Sequence, residues 1–319
     1  MSYKVGIDLG GTSVKFGIVD ETFNIIEKHS IPTSAERTFE EIVKDIALAT
    51  MDTLTKANLT LDEVEYIGIG VPSSVNPITK QIVFANNLNW KDVDFIKEFN
   101  KTINKQVYIA NDADCAAYGE VLAGAAQDND NAVMLTLGTG VGGGMIIDGK
   151  IYLGGNGFGC EFGHALLKMG GEKCTCGRKG CVEAYASVTA LIRDTKEAIK
   201  RNPTSLMNTI IDNDLSKVEG RTCFDAAEKN DATAIEVVNQ YIEYLAESVA
   251  SLINELRPKT VILGGGVSNQ KEKLLVPLKA RLNELVYGVE YIGLPNVVIA
   301  KLGNDAGIIG AAMLGKGLN

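Results

Sequence analysis

Histidine and tryptophan are scarce in this sequence of 319 residues, which has two of the former and one of the latter. Basic residues number 31 against 40 acidic ones, and the net charge of −9 argues against nucleic-acid binding because such proteins usually present a basic face. No apolar run approaches the ~18 residues that a membrane-spanning helix needs, so no membrane partner is expected. The first residues also lack a basic segment followed by an apolar core, which predicts no signal peptide and a cytoplasmic location.

The six cysteines need an explanation other than disulfides, because cytoplasmic thiols stay reduced. Three of them are scattered and suit small buried apolar positions; these are Cys115, Cys160 and Cys223. The other three fall within eight residues that include two glycines, and three sulfurs so spaced can reach one tetrahedral zinc ion. These three are Cys174, Cys176 and Cys181.

The scarcity of histidine points to the fourth zinc ligand. Of the two histidines, His29 is distant in sequence and His164 lies shortly before the cysteines. A site closed by three cysteines and His164 would be structural and not catalytic, and the alternative is a set of inert reduced thiols. Glu161 and Glu183 flank this loop, and a pair of carboxylates on a metal-held loop suits the neighbouring hydroxyl groups of a sugar.

An internal repeat organises the chain. The segment VGIDLGGTSVKFGIVD at 5–20 aligns without a gap on VMLTLGTGVGGGMIID at 133–148, and each is an apolar strand, a glycine turn and a second apolar strand. This pattern is typical of a β-hairpin. Further apolar strands, at 66–71, 107–110 and 260–263, alternate with helical patterns, which predicts an α/β fold with mixed sheets.

The two glycine turns suit phosphate binding, because glycine lets backbone N–H groups approach phosphate oxygens closely. In the first turn, Asp8 precedes Gly10 and Gly11 and is placed to hold Mg²⁺ through water. The second turn, GTGVGGG at 138–144, has no charge and is the other candidate for the phosphates. Two such hairpins suggest a nucleotide held in a cleft between two lobes. The alternative is that the two hairpins resemble each other by coincidence.

Three other segments are candidates for ligand contact. Asn111 and Asp112 follow an apolar strand, where a carboxylate can accept a proton from a hydroxyl group and an amide can hold a neighbouring hydroxyl; a helix N-cap explains the pair equally well. The glycines of LGGGV at 263–267 suit an adenine ring packed against bare backbone. For LGNDAGIIGAA at 302–312, close packing of a helix explains the small residues at least as well as a ligand does.

Taken together, these motifs resemble the ROK family (repressors, open reading frames, kinases) of the actin-like sugar kinase superfamily. The resemblance rests on DLGGT at 8–12, the Asn111–Asp112 pair, LGTGVGGG at 137–144, EFGH at 161–164, CTCGRKGCVE at 174–183, LGGGV and LGNDAGIIGAA. The cysteine-rich string looks most like that of bacterial ROK glucokinases. The resemblance implies an actin-like ATPase (ribonuclease H-like) duplicated fold with two lobes around a nucleotide and sugar cleft. We expect residues 1–112 with about 300–319 in the smaller lobe and 113–299, with the zinc loop, in the larger.

The resemblance also implies a reaction, ATP-dependent phosphorylation of glucose to glucose 6-phosphate, and a homodimer. Asp112 would be the catalytic base. The sugar would be bound by Asn111, Glu161, His164 and Glu183, and zinc by His164, Cys174, Cys176 and Cys181. Magnesium and ATP would be bound by Asp8, Gly10, Gly11, Thr12, Gly138, Thr139, Gly140, Gly264, Gly265 and Gly266.

One departure from the family bears on sugar choice. Relatives commonly have Pro-Gly-Pro where this chain has Pro72-Ser73-Ser74, so a side chain replaces bare glycine near a sugar hydroxyl. Kinases of N-acetylmannosamine, N-acetylglucosamine, fructose or allose therefore remain alternatives. A sugar-sensing repressor is disfavoured by the acidic charge and by the position of Asp8, which leaves no room for a preceding DNA-binding domain. A non-sugar ATPase is disfavoured by the candidate sugar-binding carboxylates and by the zinc loop.

Overall fold

A computed structural model describes residues 2–127 and 129–318. The strands, in chain order, are β1 (Tyr3–Leu9), β2 (Ser13–Val19), β3 (Ile25–Pro32), β4 (Val64–Val71), β5 (Ser74–Val75), β6 (Ile82–Ala85), β7 (Trp90–Val93), β8 (Val107–Asn111), β9 (Ala132–Leu137), β10 (Val141–Ile147), β11 (Lys150–Ile151), β12 (Thr260–Gly264) and β13 (Asn296–Ile299). The helices are α1 (Phe39–Lys56), α2 (Phe95–Phe99), α3 (Asp112–Ala123), α4 (Glu183–Ala186), α5 (Val188–Arg201), α6 (Leu206–Ile210), α7 (Thr222–Ala227), α8 (Ala232–Leu256), α9 (Glu272–Leu285), α10 (Val289–Ile292), α11 (Asp305–Ala312) and α12 (Leu314–Gly317).

The first sheet has five strands in the order β3-β2-β1-β4-β8. The first glycine hairpin forms its antiparallel part, β1 on β2, and β4 and β8 extend it in parallel. Apolar side chains on β1, β2 and β4 are fully buried against α1, whose apolar face recurs with helical spacing. The carboxyl ends of β1, β4 and β8 therefore share one edge of the sheet.

Local sequence signals account for the helix ends nearest this sheet. Thr38 caps α1 in a capping box with Glu41, each side chain bonding the other's backbone N–H. Asn111 caps α3, because its side-chain oxygen accepts hydrogen bonds from the N–H groups of Ala113 (2.8 Å) and Asp114 (3.3 Å). The long α8 ends at Arg257 in the left-handed region, with φ of 47°.

Helix α11 lies directly on the first sheet and on α3. A Cβ atom at Gly6 of β1 or Gly68 of β4 would collide with the carbonyl groups of Ile308 and Ala311. The same holds for Gly310, whose Cβ would meet the carbonyl of Cys115 on α3. Close packing therefore explains the small residues of this helix, as one of the two interpretations of 302–312 proposed.

The second sheet has the order β11-β10-β9-β12-β13, and β12 pairs with β13 in parallel. It contains the second glycine hairpin, so both predicted hairpins and the single strands around 66–71, 107–110 and 260–263 are present. A third, antiparallel sheet, β5-β6-β7, was not predicted from the sequence. The polar segment 202–220 contains the short helix α6.

Contacts between α-carbons divide the chain into two compact units. The first unit runs up to Val133 and includes Gly144–Cys160 and the chain from Lys301 onward; the second is Met134–Gly143 with Glu161–Ala300. The lobe limits 1–112 with about 300–319, and 113–299, stay a prediction. Within the described residues, every helix is too short or too polar to cross a bilayer.

Candidate functional site

In the first unit, the turn after β1 is fixed by backbone hydrogen bonds. The N–H of Gly10 donates to Ser13 O at 3.0 Å, and the hydroxyl of Thr33 donates to Gly10 O at 2.7 Å. Thr12 is exposed on this turn, and Thr33 N donates to its carbonyl. Gly11 immediately precedes Thr12 on the same turn. The turn is therefore held in shape while its own surface stays open to a ligand.

Asp8 lies on β1 directly opposite Lys15 of β2. The Lys15 Nζ atom is 3.3 Å from Asp8 Oδ2 and 3.4 Å from the side-chain oxygen of Asn304. Burial raises the pKa of Asp8, and the charge of Lys15 acts in the opposite direction. Sequence reasoning missed Lys15; the signal was the hairpin register, which places it across from Asp8.

The sheet brings Asp8 and Asp112 to the same edge. Asp8 pairs with Gly70 of β4, which in turn pairs with Ala110 of β8, one residue before Asn111. Gly70 lies against the start of α3, since a Cβ atom there would be 3.1 Å from the Cys115 sulfur and 3.5 Å from the α-carbon of Asp112. Two carboxylates thus flank one strand end, where α/β sheets commonly bind ligands.

Asn111 and Asp112 both contact the start of α3. Asn111 uses its side-chain oxygen as the helix cap, and its amide nitrogen donates to the backbone carbonyl of Ser73 at 3.2 Å. Asp112 Oδ1 accepts from Ala113 N at 2.9 Å. The helix-cap interpretation is therefore correct for Asn111. Asn111 and Asp112 remain candidates for ligand contact, and their roles stay predictions.

Ser73 is a buried residue in the segment that departs from the family pattern. Its side chain is 7% exposed, and within the described residues its hydroxyl has no hydrogen-bond partner. Its carbonyl holds the Asn111 amide, so Ser73 is in direct contact with a predicted sugar-binding residue.

In the second unit, the turn between β9 and β10 is closed by a hydrogen bond from Gly138 N to Gly140 O at 3.0 Å. Gly265 lies against the strand that enters this turn. Its φ is +83°, and a Cβ atom there would lie 2.6 Å from the backbone of Leu137. Two of the segments predicted to bind nucleotide, Gly138–Gly140 and Gly264–Gly266, are therefore neighbours in this unit.

The zinc loop brings its four predicted ligands together. One ligand atom from each of His164, Cys174, Cys176 and Cys181 lies within 4.8 Å of the other three. The Cys176 and Cys181 sulfurs are 3.7 Å apart, and Cys174 Sγ is 3.6 Å from His164 Nδ1. A tetrahedron with metal–ligand distances of about 2.0–2.3 Å has edges of about 3.5–3.8 Å, so this arrangement fits zinc.

The surroundings of the loop also suit a structural metal. Cys174 and Cys181 are buried, and burial raises the pKa of the Cys174 thiol to about 12, so its thiolate needs a positive charge such as zinc. Arg178 donates to His164 O at 3.2 Å, which fixes the backbone of the histidine. All six cysteines are free thiols, as expected.

The two glutamates predicted to bind sugar differ in their surroundings. Glu161 is exposed and immediately precedes the short 3₁₀ helix Phe162–His164. Glu183 is half-buried at the start of α4 and is bonded to the zinc loop and to the second turn. The structure therefore brings Glu183, but not Glu161, into a described hydrogen-bond network.

Comparison with known proteins decides the family. The ROK family matches residues 4–317. The chain belongs to the ROK family. It is 34% identical to the glucokinase of Thermotoga maritima, covering 98% of this chain and 96% of that one, and 35% identical to the glucokinase of Halalkalibacterium halodurans, covering 98% and 94%. The Streptomyces griseus ROK glucokinase, solved in complex with glucose and AMPPNP, is 32% identical, covers 98% and 99%, and has a TM-score of 0.83.

These structures confirm the predicted actin-like ATPase class with mixed α/β sheets. More distant ROK relatives have other functions. The xylose repressor of Bacillus subtilis is 29% identical, and this chain covers 76% of it. The N-acetyl-D-glucosamine kinase of Aliivibrio salmonicida is 30% identical, with 98% of it covered. The family alone therefore leaves the sugar open.

Proposed function

We propose that this chain transfers the γ-phosphoryl group of ATP to the 6-hydroxyl group of glucose. The chain is an ATP-dependent sugar kinase, as its glucokinase relatives and the kinase structures indicate. The choice of glucose is the proposal. It is supported by the similarity to glucokinases at 32–35% identity and by the glucose in the Streptomyces griseus complex.

The observation that carries the mechanism is the placement of Asp8 and Asp112 at one edge of the first sheet, on either side of Gly70. Asp112 would accept the proton of the sugar hydroxyl while the oxygen of that hydroxyl attacks the γ-phosphorus. The bond from that phosphorus to the ADP oxygen then breaks, and ADP leaves with the electron pair. Asn111, fixed by its contacts with α3 and Ser73, would hold a neighbouring hydroxyl group.

Phosphate binding is assigned to both units separately. In the first, Asp8 with the backbone of Gly10, Gly11 and Thr12 would hold the magnesium-bound phosphates. Magnesium, when bound, neutralises charge on the phosphate oxygens. In the second, the backbone of Gly138, Thr139 and Gly140 would contact phosphate, and Gly264–Gly266 would pack against the adenine.

Zinc would be held by His164 and the three cysteines, with all four positions filled by protein. Such a site supplies folding energy and order and leaves no position for a substrate. It would orient His164, Glu183 and the neighbouring Glu161 toward the sugar hydroxyls. The free thiols and the acidic composition agree with a cytoplasmic enzyme, and a homodimer is part of the same proposal.

Ser73 favours glucose over acetylated sugars. Ser73, whose backbone carbonyl holds the Asn111 amide, has a buried side chain where relatives have bare glycine, so a bulky substituent on the sugar should be harder to admit. A site that hydrogen-bonds a hydroxyl group also rejects analogues that lack it, because its own buried polar groups are left unpaired.

The test is a coupled assay of ADP release with glucose, 2-deoxyglucose, mannose, fructose, allose, N-acetylmannosamine and N-acetylglucosamine. Glucose should have the highest kcat/KM, with mannose and 2-deoxyglucose lower and both acetylated sugars lower by at least ~10²-fold. If an acetylated sugar, fructose or allose exceeds glucose, the substrate assignment is wrong and the kinase class stands. A sugar-binding repressor would release ADP with none of them.

A further inference from the structure

Glu183 connects the zinc loop to the second glycine turn. Its Oε1 atom accepts a hydrogen bond from the hydroxyl of Thr175 at 2.6 Å and lies 3.3 Å from the Cys174 sulfur. Its Oε2 atom accepts from the backbone N–H of Val141 at 3.2 Å. One carboxylate thus bonds a residue between two zinc-binding cysteines and the first residue of β10.

Further contacts of the turn come from the residues that follow Glu183. Val188 N donates to Gly138 O at 2.8 Å, and the Thr189 hydroxyl donates to Thr139 O at 2.7 Å. At the far side, a Cβ atom at Gly140 would meet the Glu183 carboxylate, so this carboxylate lies directly against the turn. The turn is therefore fastened at both ends by the segment Glu183–Thr189.

We propose that Thr175 and Glu183 are positioning residues that make nucleotide affinity depend on the conformation of the zinc loop. The inference rests on the proposed function, in which Gly138–Gly140 contacts phosphate. It gives Glu183 a role beyond the sugar contact expected from the family. It also gives Thr175, which no motif singles out, a function.

The physical reason is the flexibility of a glycine-rich turn. Such a turn loses much conformational freedom when its N–H groups are aligned on phosphate, and any contact that aligns them beforehand raises affinity. The Glu183 carboxylate can do this only while its own position is fixed. Thr175 fixes it through a hydrogen bond to a charged acceptor, which is stronger than one between neutral groups.

The experiment compares Thr175→Val, which removes the hydroxyl at nearly constant shape, with Thr175→Ser, which keeps it. Thr204→Val is the matched control, since the hydroxyl of that exposed threonine donates to Asn202 within its own loop. The dissociation constant of magnesium AMP-PNP is measured by calorimetry without sugar, and zinc content and thermal stability are measured in parallel. Thr175→Val should weaken nucleotide binding at least about fivefold, the low end of measured coupling between sites.

Thr175→Ser and Thr204→Val should bind nucleotide as the wild type does. In steady-state assays, Thr175→Val should raise the KM for ATP with little change in kcat at saturating ATP. In a Glu183→Ala background, Thr175→Val should have no further effect, because the threonine acts through that carboxylate.

An unchanged nucleotide affinity in zinc-replete Thr175→Val protein would overturn the inference. So would a change in glucose affinity larger than the change in nucleotide affinity, since Glu183 would then serve the sugar alone. Either result is compatible with a working glucose kinase. Conversely, a wild-type chain that binds AMP-PNP but phosphorylates none of the sugars would overturn the proposed function and leave the nucleotide measurement intact.

Discussion

The carboxylate of Glu120 on α3 accepts a hydrogen bond from the backbone N–H of Leu302 at 2.7 Å. It also accepts from the N–H groups of Lys301 (3.0 Å) and Ala125 (2.7 Å), and its side chain is fully buried. A single buried charge thus joins the end of α3 to the segment before α11. Because α3 begins with Asp112 and α11 packs on β1 beside Asp8, this contact supports both carboxylates of the candidate site.

Replacing Glu120 with glutamine should destabilise the protein by about 1–3 kcal/mol, because the amide places a donor against a buried N–H and leaves it unsatisfied. Urea unfolding measures the change. Glu197→Gln, which removes one carboxylate of an exposed ion pair with Lys200, is the control and should cost about 0–1 kcal/mol. Equal stability losses in the two variants would mean that the buried hydrogen bonds contribute nothing specific.

The hairpins, the parallel strands and the clustering of the zinc loop followed from the sequence, because apolar periodicity, glycine turns and cysteine spacing are local signals. The role of Glu120 could not be assigned this way, since two of its donors, Lys301 and Leu302, lie far along the chain. The sheet β5-β6-β7 was missed for a related reason: its strands have only two to four residues and depend on their neighbours.

In the candidate site, too, some residues have a local sequence signal and others are found only in the folded structure. Asp8, Asn111 and Asp112 stand in recognisable motifs, and the structure adds what only register or tertiary packing provides. Lys15 contacts Asp8 across the hairpin, and Thr175 reaches Glu183 within the folded loop. The register of the predicted hairpin could have indicated the first contact, whereas the second has no signature in the order of residues.

Asp112→Asn should lower kcat by roughly 10²–10⁴-fold, which is the usual contribution of a general base. Glucose affinity by calorimetry should change much less, because the amide retains the size and hydrogen-bonding capacity of the carboxylate. Asp52→Asn, at an exposed position of α1, is the control for the substitution itself. Near wild-type turnover in Asp112→Asn would remove this residue from the mechanism.

Lys15→Met should move the acid limb of kcat/KM for magnesium ATP to higher pH. Burial already raises the pKa of Asp8, Lys15 lowers it, and removal of Lys15 therefore raises it further. Because the ionised form would hold magnesium, activity should fall at a higher pH than in the wild type. Lys28→Met, which breaks an ion pair with Asp305, is the control; identical pH profiles for Lys15→Met and wild type would contradict the assignment.

Purified protein washed with chelator should retain about one zinc per chain, as a closed four-ligand site predicts. Cys176→Ser should lower the zinc content, the Tm and the affinity for glucose together, because the order of the loop depends on the ion. Cys223→Ser, at a buried thiol outside the cluster, should keep its zinc. Fully active protein without metal would show that the cluster consists of ordinary reduced thiols.

Ser73→Gly should relax sugar choice. The substitution restores the bare backbone that relatives commonly have at the residue whose carbonyl holds the Asn111 amide. The ratio of kcat/KM for N-acetylglucosamine to that for glucose should therefore rise by at least about tenfold, the effect of a small group in a binding pocket. Among the described residues the Ser73 hydroxyl has no hydrogen-bond partner, so the substitution breaks no such bond. A loss of stability would come from the greater backbone freedom of glycine in the unfolded chain. Ser74→Gly, on the adjacent residue of β5, is the control and should leave the ratio unchanged. If Ser73→Gly also leaves it unchanged, this serine does not exclude acetylated sugars, and specificity must then come from residues of the zinc loop.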